Sequence, residues 1–318
     1  MKLYAGIDLH SNNSFISIID ETDNIIKKRR LSNELPLILD FLKPYADQLI
    51  GIVIESTFNW YWLVDGLIAN GFSVHLANTT AIQQYQGIKY TDDDTDATWL
   101  AQMLRLDLLP QGYIYPKEER YTRDLLRKRA QLVQQRTTNL LSIQTIISRQ
   151  TGQRISGNDV KTLQLNELKK LLNNNQEVYL AASANLRISQ ELNHEIKDIE
   201  KYVKSKVKLR PEFKNLHTVP GIGDILALSI MLETGDISRF KEVGDYSSYC
   251  RCVSSKRLSN GKKKGENNRK NGNKYLCHAF VEAAHFAIRY EPVIKKFYQK
   301  KSRKTKQVIA IKAIANKL

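Results

Sequence analysis

Four carboxylates have the types and spacing to share one site. Asp8 lies in the run YAGIDLH, Glu55 closes the apolar run in IGIVIEST, and Asp93 and Asp96 fall in TDDDTDATWLAQML. Asp93 and Asp96 are three apart, so on a helix they share a face. Converged carboxylates repel unless a hard cation lies between them, and Mg2+ or Mn2+ takes oxygen ligands. Two such ions about 4 Å apart activate an attacking oxygen and stabilise a leaving one at a phosphodiester. Asp at a helix start is also favoured by capping and by the helix dipole. Taken alone, the acidic stretch reads as a cap; with Asp8 and Glu55 on strand-like runs it reads as a metal site.

A second constellation surrounds Ser259 in KRLSNGKKKG. Lys256, Arg257, Lys262, Lys263 and Lys264 flank it, and Arg269, Lys270 and Lys274 follow. A serine among cations can attack phosphorus, because the neighbouring charge stabilises the anion that forms. Ser-Asn-Gly is equally an ordinary turn. The third feature is VPGIG, residues 219–223, whose Gly221 and Gly223 permit a tight turn into a helix. Free N–H groups at such a helix start can hold a phosphate of DNA or RNA without reading its sequence. A plain helix–helix turn is the alternative.

These residues need elements to hold them. KLYAGIDLHSNNSFISIIDETDNIIKKRRL alternates as strands joined at HSNN and turned again at DETDN. LPLILDFLKPYADQL reads as an amphipathic helix and IGIVIEST as a buried strand. NWYWLVDGLIANG is expected to be a helix stopped by Gly71, FSVHLAN a strand, and the acidic stretch the start of the next helix. Strands alternating with helices imply an α/β sheet with both faces covered. From Glu118 to about Lys208 the pattern is helical, with Leu125, Leu132, Leu140 and Ile147 recurring at seven or eight residues. TGQRISGNDV is expected to interrupt this stretch, and a second helical run to start near Thr162. The arm is read as carrying a dimer seam, with an intramolecular helical hairpin as the alternative. LSNGKKKGENNRKNGNKY, lacking any apolar run, is expected to be loop throughout. YLCHAFVEAAHFAIRYEPVIKKFY returns to helix, and the chain stops inside the amphipathic QVIAIKAIANKL.

Charge divides the 318 residues, whose formal net is +16. Residues 1–118 hold 9 Lys and Arg against 15 Asp and Glu; residues 119–250 hold 21 against 15; residues 251–318 hold 19 against 3. So basic a tail implies a polyanionic partner, nucleic acid first. No apolar run approaches the roughly 18 residues that span a bilayer, and the first residues lack a signal-peptide core. Cys250, Cys252 and Cys277 are too few for a disulfide framework and fit no common zinc spacing. A reducing cytoplasm is the expected compartment.

In this order, YAGIDLH, VIEST, DDTDA, VPGIG and SNGKKKG…RKNGNKYL resemble the DEDD transposases of bacterial insertion sequences, the group that also holds the Piv-type DNA invertases. The resemblance runs along almost the whole chain. It implies an α/β fold with three parts: a RuvC-like (RNase H-fold) metal-binding domain over residues 1–117, a helical coiled-coil arm over 118–208, and a mostly α-helical C-terminal transposase domain over 209–318. It places the four metal carboxylates at Asp8, Glu55, Asp93 and Asp96. An extra residue before the last pair leaves Asp92 as a rival of Asp93. It also implies a nucleophilic serine that links covalently to DNA; Ser259 aligns best, with Ser254 and Ser255 as rivals. Further expectations are a Mg2+ or Mn2+ cofactor, DNA as donor and target, a bridge RNA that selects both, and assembly of a dimer or tetramer through the arm. A Piv-like invertase and a junction nuclease using only the carboxylates are the other readings. Of the histidines near the serine run, His217, His278 and His285 are the candidates for a base.

Overall fold

In the computed structural model the described residues are 1–82, 93–172, 175–207, 211–253, 257–265 and 271–318. They form two compact units, Met1–Lys117 and Glu118–Asn267 with Gly272–Leu318.

The first unit is built on a mixed sheet. Its strands are β1 (Leu3–Leu9), β2 (Asn13–Ile19), β3 (Ile25–Ser32), β4 (Leu49–Glu55), β5 (Val74–Ala77) and β6 (Gln111–Gly112), in the order β3-β2-β1-β4-β5-β6. β1 pairs parallel with β4, and β4 with β5; the remaining pairs are antiparallel. This is the RuvC-like arrangement that the resemblance implies. The two-residue β6 had no signal in the sequence.

Because side chains alternate along a strand, the sheet has two distinct faces. Leu3, Ala5, Ile7 and Leu9 pack with Ile16, Ile18, Ile52 and Ile54 against helices α1 (Leu35–Leu42) and α2 (Tyr61–Ala69). α1 is shorter than expected: its last turn tightens into a 3-10 turn at Lys43–Tyr45, where Pro44 lacks the N–H a longer helix needs. Gly71 follows α2 with φ of 83°, a left-handed stop that glycine supplies without strain. The other face carries Gly6, Asp8, Ser17, Val53 and Glu55, and receives α3 (Asp93–Arg105).

In the second unit, α4 (Lys117–Thr151) and α7 (Gln176–Val207) are the long helices, joined through α5 (Gly157–Thr162) and α6 (Leu165–Leu171). Arg129 Nη2 reaches Glu200 Oε1 at 2.6 Å, Arg136 Nη1 reaches Asn193 Oδ1 at 2.7 Å, and Asn185 Nδ2 reaches Ser142 Oγ at 3.0 Å. Partners that climb one helix descend the other, so α4 and α7 form an antiparallel hairpin. Part of the apolar stripe read as a dimer seam packs inside the chain: Leu140, Ile143 and Ile147 are buried with Ala182 and Leu186, and Leu126 with Val203, while Leu141 stays exposed. A heptad stripe specifies that a helix needs a partner, not which one.

The expected break at TGQRISGNDV is only partly a break. Ser156 and Asp159 form a capping box that starts α5 inside it. No helix among the described residues is long and apolar enough to cross a membrane.

The C-terminal elements are α8 (Pro211–Leu216), α9 (Asp224–Thr234), α10 (Val243–Tyr249), a hairpin of β7 (Arg257–Ser259) and β8 (Lys262–Gly265), then α11 (Lys274–Tyr290), α12 (Pro292–Ser302) and α13 (Gln307–Ala315). The run YLCHAF…KKFY is thus two helices, divided at Glu291-Pro292. Ile222, Leu226, Ile230, Leu276, Phe280, Ala283 and Ile314 make their core. A buried polar knot ties three helices. Glu233 of α9, 3% exposed, receives Arg127 of α4 through Nη2 at 2.7 Å and the Nδ2 of Asn273 at 2.7 Å. Asn273 in turn caps α11, its Oδ1 accepting from Tyr275 N and Leu276 N.

Candidate functional site

The carboxylate site starts with a glycine. A Cβ on Gly6 would lie 1.9 Å from the Ala97 carbonyl oxygen and 2.8 Å from Ala101 N. Only a residue without a side chain lets α3 lie this close on β1. Small residues complete the fit: Ala97 and Ala101 are fully buried, and Thr98 Oγ1 donates to Ser17 Oγ at 3.0 Å. That seat brings Asp96, next to Ala97, over the ends of β1 and β4.

Register does the rest. β1 and β4 run parallel with Ile7 opposite Ile54. One step on, Asp8 and Glu55 stand side by side on the α3 face, at the ends where the strands leave the sheet. Asp8 is 3% exposed. The Glu55 carboxyl is pushed up to about 8 by burial first, then by its hydrogen bond with Asp8 and the negative charges of Asp8 and Asp96. Near neutral pH Glu55 therefore retains a proton, shared with Asp8.

His10 belongs to this site and was missed. Its Nε2 lies 3.2 Å from Asp8 Oδ2. Asn33 and Asn59 both donate to the His10 carbonyl at 2.9 Å, fixing the strand end. The signal was the two-residue step from Asp8, which carries His10, just past the end of β1, toward the same face.

The donors are carboxylate oxygens, and the group shows the mutual repulsion that a divalent cation would relieve; in its chemistry the set fits Mg2+ or Mn2+. Among the described residues no three His, Cys, Asp or Glu side chains stand close enough to hold one ion. Asp93 opens α3, three residues before Asp96, but its side chain lies outside the description, as do those of Arg257 and Lys263. Asp92, Ser254, Ser255, Lys256, Arg269 and Lys270 lie outside the described residues altogether.

A stability profile follows from Glu55. In metal-free solution the folded chain keeps a proton that the unfolded chain gives up above about pH 4.5. More protons bound in the native state means that stability falls as pH rises from about 4.5 to about 8. Thermal unfolding of wild type is expected to show this decline, and Glu55→Gln to flatten it and melt higher at pH 8. Parallel profiles would remove Glu55 from the cluster.

The serine run is not the loop expected. Ser259 pairs with Lys262 across two residues, Asn260 at φ 48° and Gly261 at φ 71°. Positive φ at both central positions is the type I′ turn, for which Asn-Gly is the strongest signal. Turn chemistry thus makes strands from residues with no apolar pattern. Ser259, Lys262 and Lys264 are exposed at this hairpin. Lys274 is exposed at the start of α11.

The candidate bases have other partners. His217 Nε2 lies 3.3 Å from Asp224 Oδ1, and His278 Nδ1 3.6 Å from Glu282 Oε2. His285 is exposed on α11.

In the VPGIG turn, Gly221 has φ of 87°, and a Cβ there would meet the Ala283 carbonyl oxygen at 2.3 Å. Packing on α11 accounts for Gly221. Gly223 precedes α9 with open space around it, but Asp224 already offers the helix an acidic first turn and holds Lys204 at 2.7 Å. Burial pushes the thiols of Cys250 and Cys252 up to about 12 and about 11, which leaves them unreactive core residues.

Two family models match the chain. Residues 5–150 match a model of DEDD transposases of the IS110 type, described as "Transposase". Residues 213–299 match "Transposase IS116/IS110/IS902 family". The first span holds Asp8, Glu55, Asp93 and Asp96; the second holds Ser259 and the VPGIG turn. A search of the curated proteins finds no match.

Proposed function

Because the chain belongs to the IS110 family of DEDD-type transposases, we propose that it exchanges DNA strands with two sets of residues, the carboxylates Asp8, Glu55, Asp93 and Asp96 and the nucleophile Ser259. Transposases of this family cut and join DNA. The finer reading rests on one observation above all: Glu55, hydrogen-bonded to Asp8 and within the field of the Asp96 charge, is raised to about 8. Purely structural carboxylates are not normally gathered at this electrostatic cost.

A bound Mg2+ or Mn2+ would supply Lewis-acid stabilisation of charge at the phosphodiester. Asp8 and Glu55 would hold it from the strand ends, Asp93 and Asp96 from α3. His10 orients Asp8 through the 3.2 Å contact. At the hairpin, Ser259 offers its Oγ to phosphorus while Lys262 and Lys264 stabilise negative charge beside it. The arm, residues 118–208, and the transposase domain, residues 209–318, serve assembly and nucleic-acid binding in this reading. Part of the arm's stripe packs between α4 and α7, and a dimer would use its exposed remainder, Leu141 among it.

A structured RNA from the element, a bridge RNA, is the proposed guide. The excess of cations in residues 251–318 suits such a partner, and no part of the chain reads as a helix-turn-helix. The test is strand exchange by the purified chain between element-end and target DNA, with Mg2+, with and without the element's non-coding transcript. Joined products are expected only when the transcript is present. Equal product without RNA would end the guided reading.

A further inference from the structure

Between Lys295 and Lys306 stand seven cations, Lys295, Lys296, Lys300, Lys301, Arg303, Lys304 and Lys306, and no acid follows Glu291. All seven are exposed. None takes part in an ion pair among the described residues. Five of them, from Lys300 on, lie beyond the span that matches the family model.

The charge sits on a firm support. Pro292 starts α12, and Ile294, Phe297 and Tyr298 pack against the core cluster of the unit. α13 closes behind it with Ala310, Ile314 and Ala315 buried. Lys296, Lys300, Arg303 and Lys304 recur at three to four residues, so they line one side of α12 and its exit. Holding like charges this close on a folded helix is unfavourable unless a polyanion offsets them.

We infer that α12 and the turn into α13 form a docking surface for the phosphate backbone of duplex DNA, the substrate class of the transposases that the chain matches. The inference deepens the proposed function by assigning a contact to residues outside both candidate sites. A single strand is disfavoured because binders of single strands offer aromatic faces to the bases, whereas Phe297 and Tyr298 are packed inward. Contacts of this type position a duplex and do not read its sequence.

The experiment is a salt series of binding to a duplex DNA oligonucleotide, a duplex RNA and a single-stranded DNA. The variant carries Lys296, Lys300, Arg303 and Lys304→Gln; the control carries Gln at four exposed cations of the first unit, Lys2, Lys27, Arg29 and Lys43. Each neutralised phosphate contributes about 0.9 to the log–log salt slope on B-DNA. The variant is expected to flatten the duplex slope by roughly 3 to 4 with an unchanged melting temperature, and the control to leave it intact. An unchanged slope, an equal loss in the control, or a loss confined to single strands would overturn the inference. A slope flattened on duplex RNA and unchanged on duplex DNA would overturn it as well. Asp8→Asn separates this from the catalytic reading: binding through α12 survives that substitution whichever way strand exchange goes.

Discussion

Replacing Asp8 with asparagine is expected to stop strand cleavage, lowering the rate by about a thousandfold or more, in a protein that still folds. Charge stabilisation by a metal site is worth several kcal/mol in a transition state, and each 1.36 kcal/mol is about tenfold in rate. Asp8 is the most buried member of the cluster among the described side chains and touches both Glu55 and His10. Asparagine keeps the shape and removes the charge. It also relieves Glu55 of one of the two neighbours that raise its pKa, so the metal-free variant is expected to melt no lower than wild type. Normal cleavage by Asp8→Asn would show that the carboxylates are misassigned. A sharp fall in melting temperature would show that Asp8 serves the fold.

The second large effect is expected at Ser259. A serine hydroxyl is a weak nucleophile until its proton is taken, and among the histidines nearest it in sequence His217 is engaged with Asp224, His278 with Glu282, and His285 stands exposed on α11. We therefore expect dependence on both sets of residues. With DNA and RNA supplied and the reaction stopped by denaturant, wild type should yield a DNA-linked protein, and Ser259→Ala and Asp8→Asn none. The type I′ turn tolerates Ser259→Ala, since Asn260 and Gly261 keep the positive φ values. An adduct that persists in Ser259→Ala and disappears in Ser254→Ala or Ser255→Ala would move the nucleophile within the run. Full strand cleavage by Ser259→Ala without any adduct would favour the junction nuclease.

Much of the first unit was legible because its signals are local. β1 alternates and carries Asp8 one residue before its end, and β4 is a nearly continuous apolar run that ends on Glu55. What joins them is not local. Gly6 reads as a weak residue in a strand until α3 is found against it, and the seat of Asp96 depends on that approach. His10 closes the YAGIDLH motif, but nothing in that motif gave it a role.

In the second unit the helices were legible and their partners were not. The stripe at Leu125, Leu140 and Ile147 is as compatible with a neighbour molecule as with α7, and the ion pair of Arg129 with Glu200 spans 71 residues of sequence. The serine hairpin was lost for the opposite reason. Its strands have no apolar alternation, and its one strong signal, Asn-Gly, was read as a turn within a loop.

The central claim is that Asp8, Glu55, Asp93 and Asp96 hold a divalent cation for DNA strand exchange. Calorimetric titration of the purified chain with Mn2+, wild type beside Asp8→Asn, tests it most directly. Wild type is predicted to bind with release of the Glu55 proton near pH 7, so that the measured heat depends on the buffer, and Asp8→Asn to bind at least tenfold more weakly. Equal binding by the two proteins, or none by wild type, would contradict the account.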